Sequence, residues 1–118
     1  MEHKLQELLA VATNKTAAGD LKWRAFSEES FRVPIGSGYL HISRGTTRVE
    51  DDGDSYPAQT YSARVTDEQG RVVAEADATQ GFEGETLALL AGLFEVARKS
   101  ALKSEGVLDK MLEALQRS

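Results

Sequence analysis

One helical segment of this sequence has almost no polar face. Residues 87–97 are apolar at every position except Glu95. A helix on a protein surface has one apolar stripe and one polar face, whereas a helix that is apolar nearly all round is buried. We therefore predict that this segment is the central helix of the fold and that the other elements cover it.

Two further helices are predicted, one at each end of the chain. Near the N-terminus, apolar residues recur at helical spacing, and we expect a helix over about residues 2–18 that is closed by Gly19. Near the C-terminus, a shorter amphipathic helix carries one apolar stripe. The stripe consists of Val107, Leu108, Met111, Leu112 and Leu115.

The middle of the chain alternates apolar and polar residues with the period of two that is typical of strands. The alternating stretches are residues 21–26, 31–35, 39–49, 60–66 and 71–77. Their short connections favour antiparallel neighbours. Pro34 indicates a strand edge or end, and Gly45 a bulge. Residues 50–55 are predicted to form a polar loop closed by Pro57.

Together these elements predict a two-layer α+β fold. It has an antiparallel meander of about five strands, with the N-terminal helix and the two C-terminal helices on one face of the sheet. The length of 118 residues suits a single domain over residues 1–118. The other face of the sheet is expected to lie open to solvent.

Composition excludes several classes of function. The chain has no cysteine, so it forms no disulfide, thiolate nucleophile or cysteine-bound metal site. Its 14 basic and 19 acidic residues give a net charge of −5, which disfavours nucleic acid as a partner. No apolar run approaches the roughly 20 residues that cross a bilayer. The charged N-terminus does not resemble a signal peptide, and we expect a soluble cytoplasmic protein without a membrane partner.

The order of elements carries a resemblance to a known group. Residues 16–23 lead from a helix through a glycine to a strand bearing a tryptophan, and residues 93–101 precede the short last helix. This layout resembles small uncharacterised bacterial proteins of the kind found on phages and other mobile elements. The resemblance covers most of the chain and implies the same fold and a bacterial origin. That group has no established activity, so the resemblance implies no functional residue.

No catalytic signature is found. His41 has no second metal ligand at a recognisable spacing, and Ser37, between two glycines, fits a turn better than a nucleophile elbow. The acidic residues 50–54 lack the ligand spacing of an EF-hand. We therefore predict that the protein is not an enzyme and that it uses no cofactor and no metal.

The open sheet face is the remaining candidate site. If the alternation is correct, basic and hydroxyl side chains project from it. They are Lys22, Arg24, Arg32, Arg64 and Arg71, with Tyr39, His41, Ser43, Thr60 and Ser62. From these we select Arg24, Tyr39, His41 and Arg64 as candidate binding residues, because arginine forks suit carboxylate or phosphate groups. In the alternative interpretation the arginines pair with Glu75 and Asp77 across strands, as on an ordinary solvated sheet face.

These observations favour a non-enzymatic protein-interaction module. It would bind a protein partner or form a homodimer, and a small immunity or antitoxin-like protein is one version of this hypothesis. The alternative is a binder of a small anionic ligand on the open basic face. Acid–base catalysis by His41 is a third and weaker hypothesis.

Overall fold

A computed structural model describes residues 2–82 and 84–117 and has three helices and five strands in these ranges. In chain order the elements are α1 (His3–Ala17), β1 (Arg24–Ser27), β2 (Ser30–Ile35), β3 (Gly38–Asp51), β4 (Asp54–Thr66), β5 (Val72–Thr79), α2 (Gly84–Leu102) and α3 (Ser104–Arg117). The strands form one open antiparallel sheet in the order β1-β2-β3-β4-β5. The predicted α+β fold with a five-stranded meander is confirmed.

The β3–β4 hairpin is longer than its sequence suggests. The predicted polar loop is a two-residue turn, in which Asp52 and Gly53 have φ angles of 48° and 83°. Positive φ at both central residues is the geometry that matches the twist of a tight hairpin. The pairing of β3 with β4 continues unbroken past Gly45, so the predicted bulge there is wrong. The carboxylates of the turn region flank a hairpin rather than line a loop.

Both prolines lie where their strands have one neighbour. Pro34 pairs with Tyr39 on β3, and the pairing of β1 with β2 extends only to Arg32. Pro57 pairs with Arg48, whereas the pairing of β5 with β4 stops at Thr60. A locally free edge tolerates a residue without an N–H donor.

Helix α2 is the central helix, as predicted. It contacts all five strands on one side, and α1 packs against it. Leu90, Leu93 and Phe94 are fully buried. The Phe94 ring lies 5.5 Å from the centroid of Phe31 and 5.6 Å from that of Tyr61, in tilted and edge-on arrangements that aromatic pairs favour.

Trp23 joins α1 and α2 just before the sheet begins. Its indole Nε1 donates to Thr16 Oγ1 at 2.9 Å, and its backbone N donates to Ser100 Oγ at 3.1 Å. Ser100 Oγ in turn donates to the Leu21 carbonyl at 3.2 Å. Because residues 21–23 bond to α2, the first strand begins at Arg24 rather than at the predicted Leu21.

Helix α3 contacts α2. Both C-terminal helices were expected to cover the sheet, but the apolar stripe of α3 does not. Each of the five stripe residues is more than half exposed. Within the described ranges, no helix combines the length and the apolar character that crossing a membrane would require.

Candidate functional site on the open sheet face

One row of side chains crosses the outer face of all five strands. Arg24 pairs with Arg32, Arg32 with His41, His41 with Arg64, and Arg64 with Glu75. Their chain neighbours, such as Phe31, Ile42 and Ala63, are buried on the helix side, so the row faces away from the helices. We call Arg24, Arg32, His41 and Arg64 the arginine row. With strands 4.7–4.9 Å apart, the row spans about 14 Å from β1 to β4.

A second row of hydroxyl groups runs beside the first on the same face. The register joins Ser27, Ser30, Ser43, Ser62 and Asp77 across the five strands. Ser62 Oγ donates to Asp77 Oδ1 at 2.5 Å. Along these two rows the face is therefore basic and rich in hydrogen-bond donors over β1 to β4, and acidic at β5, where Glu75 and Asp77 end the rows.

Arg32 is held between two aromatic rings. Its Cζ lies 4.6 Å from the Phe26 centroid and 4.5 Å from the Tyr39 centroid. An irregularity of β1 between Ala25 and Ser27 accompanies this placement of Phe26. Guanidinium groups are attracted to aromatic faces, and stacking leaves the N–H groups at the guanidinium edge able to donate. Arg32 thus presents a fixed planar donor to the solvent side of the sheet.

His41 is a partly buried member of the row. Its Nε2 lies 3.0 Å from Thr66 Oγ1, with which it shares a hydrogen bond, and its ring is 6.4 Å from that of Tyr39. Burial lowers the pKa of His41 below its usual value, and the positive charges of Arg32 and Arg64 lower it further. The imidazole is therefore neutral near pH 7, and the charge of the row comes from its three arginines.

The arginines of the row have no carboxylate partner within the described part of the chain. The ion pairs there involve Lys15, Arg44, Arg71 and Arg117. The guanidinium groups of Arg24, Arg32 and Arg64 also donate no hydrogen bond to any described residue. Although Glu75 faces Arg64 in the register, the two form no ion pair, and Asp77 accepts from Ser62. Arg64 and Glu75 are thus cross-strand neighbours, as the alternative interpretation expects, but among the described residues no ion pair joins the row to Glu75 or Asp77.

Two of the basic residues expected on this face lie elsewhere. Lys22 lines a cavity at the helix side, together with residues of α1 and α2. Arg71 Nε donates to Asp67 Oδ2 at 2.8 Å in the β4–β5 turn. The basic surface is narrower than the alternation predicted, and it centres on Arg32, which the selection of candidate residues omitted. Phe26 was not selected because its contact with Arg32 joins two strands, and the alternation within one strand does not show such a contact.

The row lies on an open surface rather than in a pocket. One cavity of about 460 Å³ is bounded by Leu21, Val96, Ser100 and Lys103 among others. A second, of about 430 Å³, lies between the part of β3 near its turn and the end of β5, beside Val49 and Phe82. No residue of the arginine row lines either cavity.

The residues described also include no cluster of three or more histidine, aspartate or glutamate side chains positioned to hold a metal ion. The acidic turn pairs Asp51 with Asp54 across the hairpin.

No known protein family, no curated protein and no solved structure matches this chain.

Proposed function

We propose that this protein is a non-enzymatic interaction module that binds an acidic segment of a partner protein on the arginine row. The observation that supports this most directly is that Arg24, Arg32 and Arg64 lie together on one face and form no ion pair with any carboxylate of the described residues. Like charges this close repel one another, and carboxylates from outside the domain would relieve the repulsion. Arginine binds carboxylates through paired N–H donors, which gives such a contact direction as well as charge.

The shape of the surface favours a protein segment over a small molecule. Small-ligand sites are concave, whereas the row runs across an exposed sheet. An extended chain advances about 3.3 Å per residue, so about four residues span the 14 Å from Arg24 to Arg64. Two or three carboxylates along such a segment would meet the guanidinium groups, and the neighbouring serines would donate to its backbone carbonyls.

The acidic side chains disfavour nucleic acid on the same face. Glu75 and Asp77 close the β5 end of the two rows, and the whole chain has a net charge of −5. A phosphate backbone would follow the row into these carboxylates. A cytoplasmic, immunity-like or antitoxin-like role in a bacterial cell is a narrower version of the same proposal, supported by the small size and acidic character of the chain.

A peptide-binding titration tests this proposal. The probe is a fluorescein-labelled ten-residue peptide of alternating Glu and Ser, with a Gln–Ser peptide as its neutral control. The test variant replaces Arg24, Arg32 and Arg64 with Ala. The matched control replaces Arg48, Arg71 and Arg117, whose guanidinium groups already bond Ser55, Asp67 and Glu113, so the change of net charge is identical.

We expect fluorescence anisotropy at low ionic strength to show binding of the acidic peptide only. The row variant should bind at least tenfold more weakly, and the control variant within about twofold of the unmodified protein. Equal losses in both variants, or no binding to the unmodified protein, would contradict the proposal. If phosphate or citrate raises the melting temperature through the row while the peptide does not bind, the small-anion alternative is correct instead.

A further inference from the structure

Helix α3 presents an apolar stripe to solvent. Its residues are Val107, Leu108, Met111, Leu112 and Leu115, and they are between 51% and 72% exposed. Together they present on the order of 500 Å² of apolar surface, near the upper end of what a monomer leaves uncovered. The spacing places all five on one side of the helix.

The helix has little to hold it in place when its stripe is uncovered. It has 14 residues, includes Gly106 near its start and packs against α2. It follows Lys103, whose positive φ of 52° ends α2 with a left-handed residue. Isolated helices of this length are marginal in water, and a glycine weakens them further. A partner that covers the stripe would therefore also stabilise the helix.

The stripe has no place left on its own domain. The inner face of the sheet is covered by α2, whose residues Leu90, Leu93 and Phe94 are fully buried. The cavity nearest the start of α3 is bordered by three lysines, Lys22, Lys99 and Lys103. Ammonium groups around that opening do not match five aliphatic side chains.

A lipid surface is a poor match as well. Helices that lie in a membrane interface carry many Lys and Arg residues opposite their apolar side. Opposite the stripe, α3 has two acidic residues, Asp109 and Glu113, and two basic residues, Lys110 and Arg117, of which Arg117 is bonded to Glu113. This balanced, polar back is typical of a helix that pairs with another helix.

We propose that α3 is a self-association helix, whose stripe packs against the stripe of α3 in a second copy of this chain. Leu108 and Leu115 are seven residues apart, and Met111 and Leu112 lie midway, which is the 3.5-residue spacing of a coiled-coil seam. A two-fold interface uses the same patch on both copies, and the stripe is suited to this because it is apolar along its whole length. Two such patches would bury about 1,000 Å², which is the lower limit for a specific protein interface.

Sedimentation equilibrium tests this directly. The unmodified protein should have twice the monomer mass of 12.9 kDa at micromolar concentration. The double variant Leu108→Glu, Leu115→Glu should be monomeric, with its cooperative thermal transition retained. A matched control, Val73→Glu with Phe82→Glu, adds the same charge at residues that are 62% and 64% exposed outside α3, and it should remain a dimer.

Three results would overturn the proposal. They are a monomeric unmodified protein at 200 µM, equal dissociation in both double variants, and unfolding of the α3 variant, which would mean that the stripe packs within its own domain. Recruitment of the protein to anionic lipid vesicles as a monomer would assign α3 to a membrane surface and overturn the proposal too.

The absence of cysteine permits a second, independent measurement. Met111→Cys places one thiol in the stripe, and Glu113→Cys places one on the opposite side of α3. Under mild oxidation, Met111→Cys should form disulfide-linked dimers at least tenfold faster than Glu113→Cys. Equal rates would contradict pairing through the stripe. Because this surface is separate from the arginine row, the row variant should still dimerise, and failure of one proposal leaves the other standing.

Discussion

Arg44 donates two hydrogen bonds to Glu29, from Nε to Oε2 at 2.6 Å and from Nη2 to Oε1 at 3.0 Å. It lies on the helix side of the sheet, with its Cζ 4.5 Å from the Phe94 ring centroid. There the domain supplies its arginine with a carboxylate and an aromatic face. On the other side of the sheet, Arg32 also lies against aromatic rings, those of Phe26 and Tyr39. Unlike Arg44, it forms no ion pair with a carboxylate of the described residues.

The Glu29–Arg44 pair should contribute to stability in a pH-dependent way. The hydrogen bonds from Arg44 lower the pKa of Glu29 below 4.5. The stabilisation is therefore present above pH 4.5 and is lost as the pH falls through the lower folded-state pKa. Because Glu29 is partly exposed, we expect Glu29→Gln to cost about 1 kcal/mol at pH 7 in urea unfolding. The exposed neighbour substitution Glu28→Gln should change stability by less than half of that.

Because one side of α2 is buried, a charged substitution on that side should destabilise the protein far more than one on the exposed side. Phe94→Asp removes a ring packed between Phe31 and Tyr61 and buries a carboxylate beside Arg44, whose guanidinium already bonds Glu29, so it should cost more than about 4 kcal/mol. The same helix has an exposed position at Ala88. Ala88→Asp should leave the thermal transition within a few degrees of that of the unmodified protein. A folded Phe94→Asp variant in circular dichroism melts would contradict the central position of α2.

The indole hydrogen bond of Trp23 can be tested with two threonines of one helix. Thr13 and Thr16 both donate to the carbonyl four residues earlier, but only Thr16 also accepts from Trp23 Nε1. Thr16→Val leaves a buried donor without its acceptor and should cost about 1–3 kcal/mol. Thr13→Val should cost less than 1 kcal/mol by the same measure, because no donor is orphaned. Equal effects in denaturant unfolding would mean that this contact is not stabilising.

His41 should make the domain less stable in mild acid. Since burial lowers its pKa in the folded state, the unfolded chain binds the proton first as the pH falls below 6.5. Stability therefore decreases from pH 7 towards pH 5. Glu29 and Asp67 keep their charges over that window, because their hydrogen bonds lower their pKa values. His41→Gln should reduce the decrease in the free energy of unfolding between pH 7 and pH 5. An unchanged pH dependence in denaturant unfolding would contradict this prediction.

The sequence predicted those features that rest on local periodicity. The alternation around His41 and the apolar surface of residues 87–97 predicted the sheet face and the central helix correctly. The turn at Asp52 and Gly53 was missed because a long polar stretch is also typical of a loop, and only the backbone φ angles distinguish the two.

Features that depend on the register between strands could not be predicted from local periodicity. The alignment of Arg24, Arg32, His41 and Arg64 in one row requires the pairing of four strands, and a slip of one residue in any of them would break it. Similarly, the stripe of α3 is visible in the sequence, but its exposure depends on the inner face of the sheet being filled by α2. The periodicity of α3 predicts the stripe but does not show whether the stripe is buried or exposed.

The most direct test of the arginine row is a ¹⁵N NMR titration of the protein with the acidic peptide, observed at the arginine Nε–H groups. If carboxylates bind as proposed, the signals of Arg24, Arg32 and Arg64 shift with a common affinity. The signals of Arg44 and Arg71, which are already bonded to Glu29 and Asp67, stay in place. Shifts confined to other arginines, or equal small shifts of all of them, would contradict a binding site on this face.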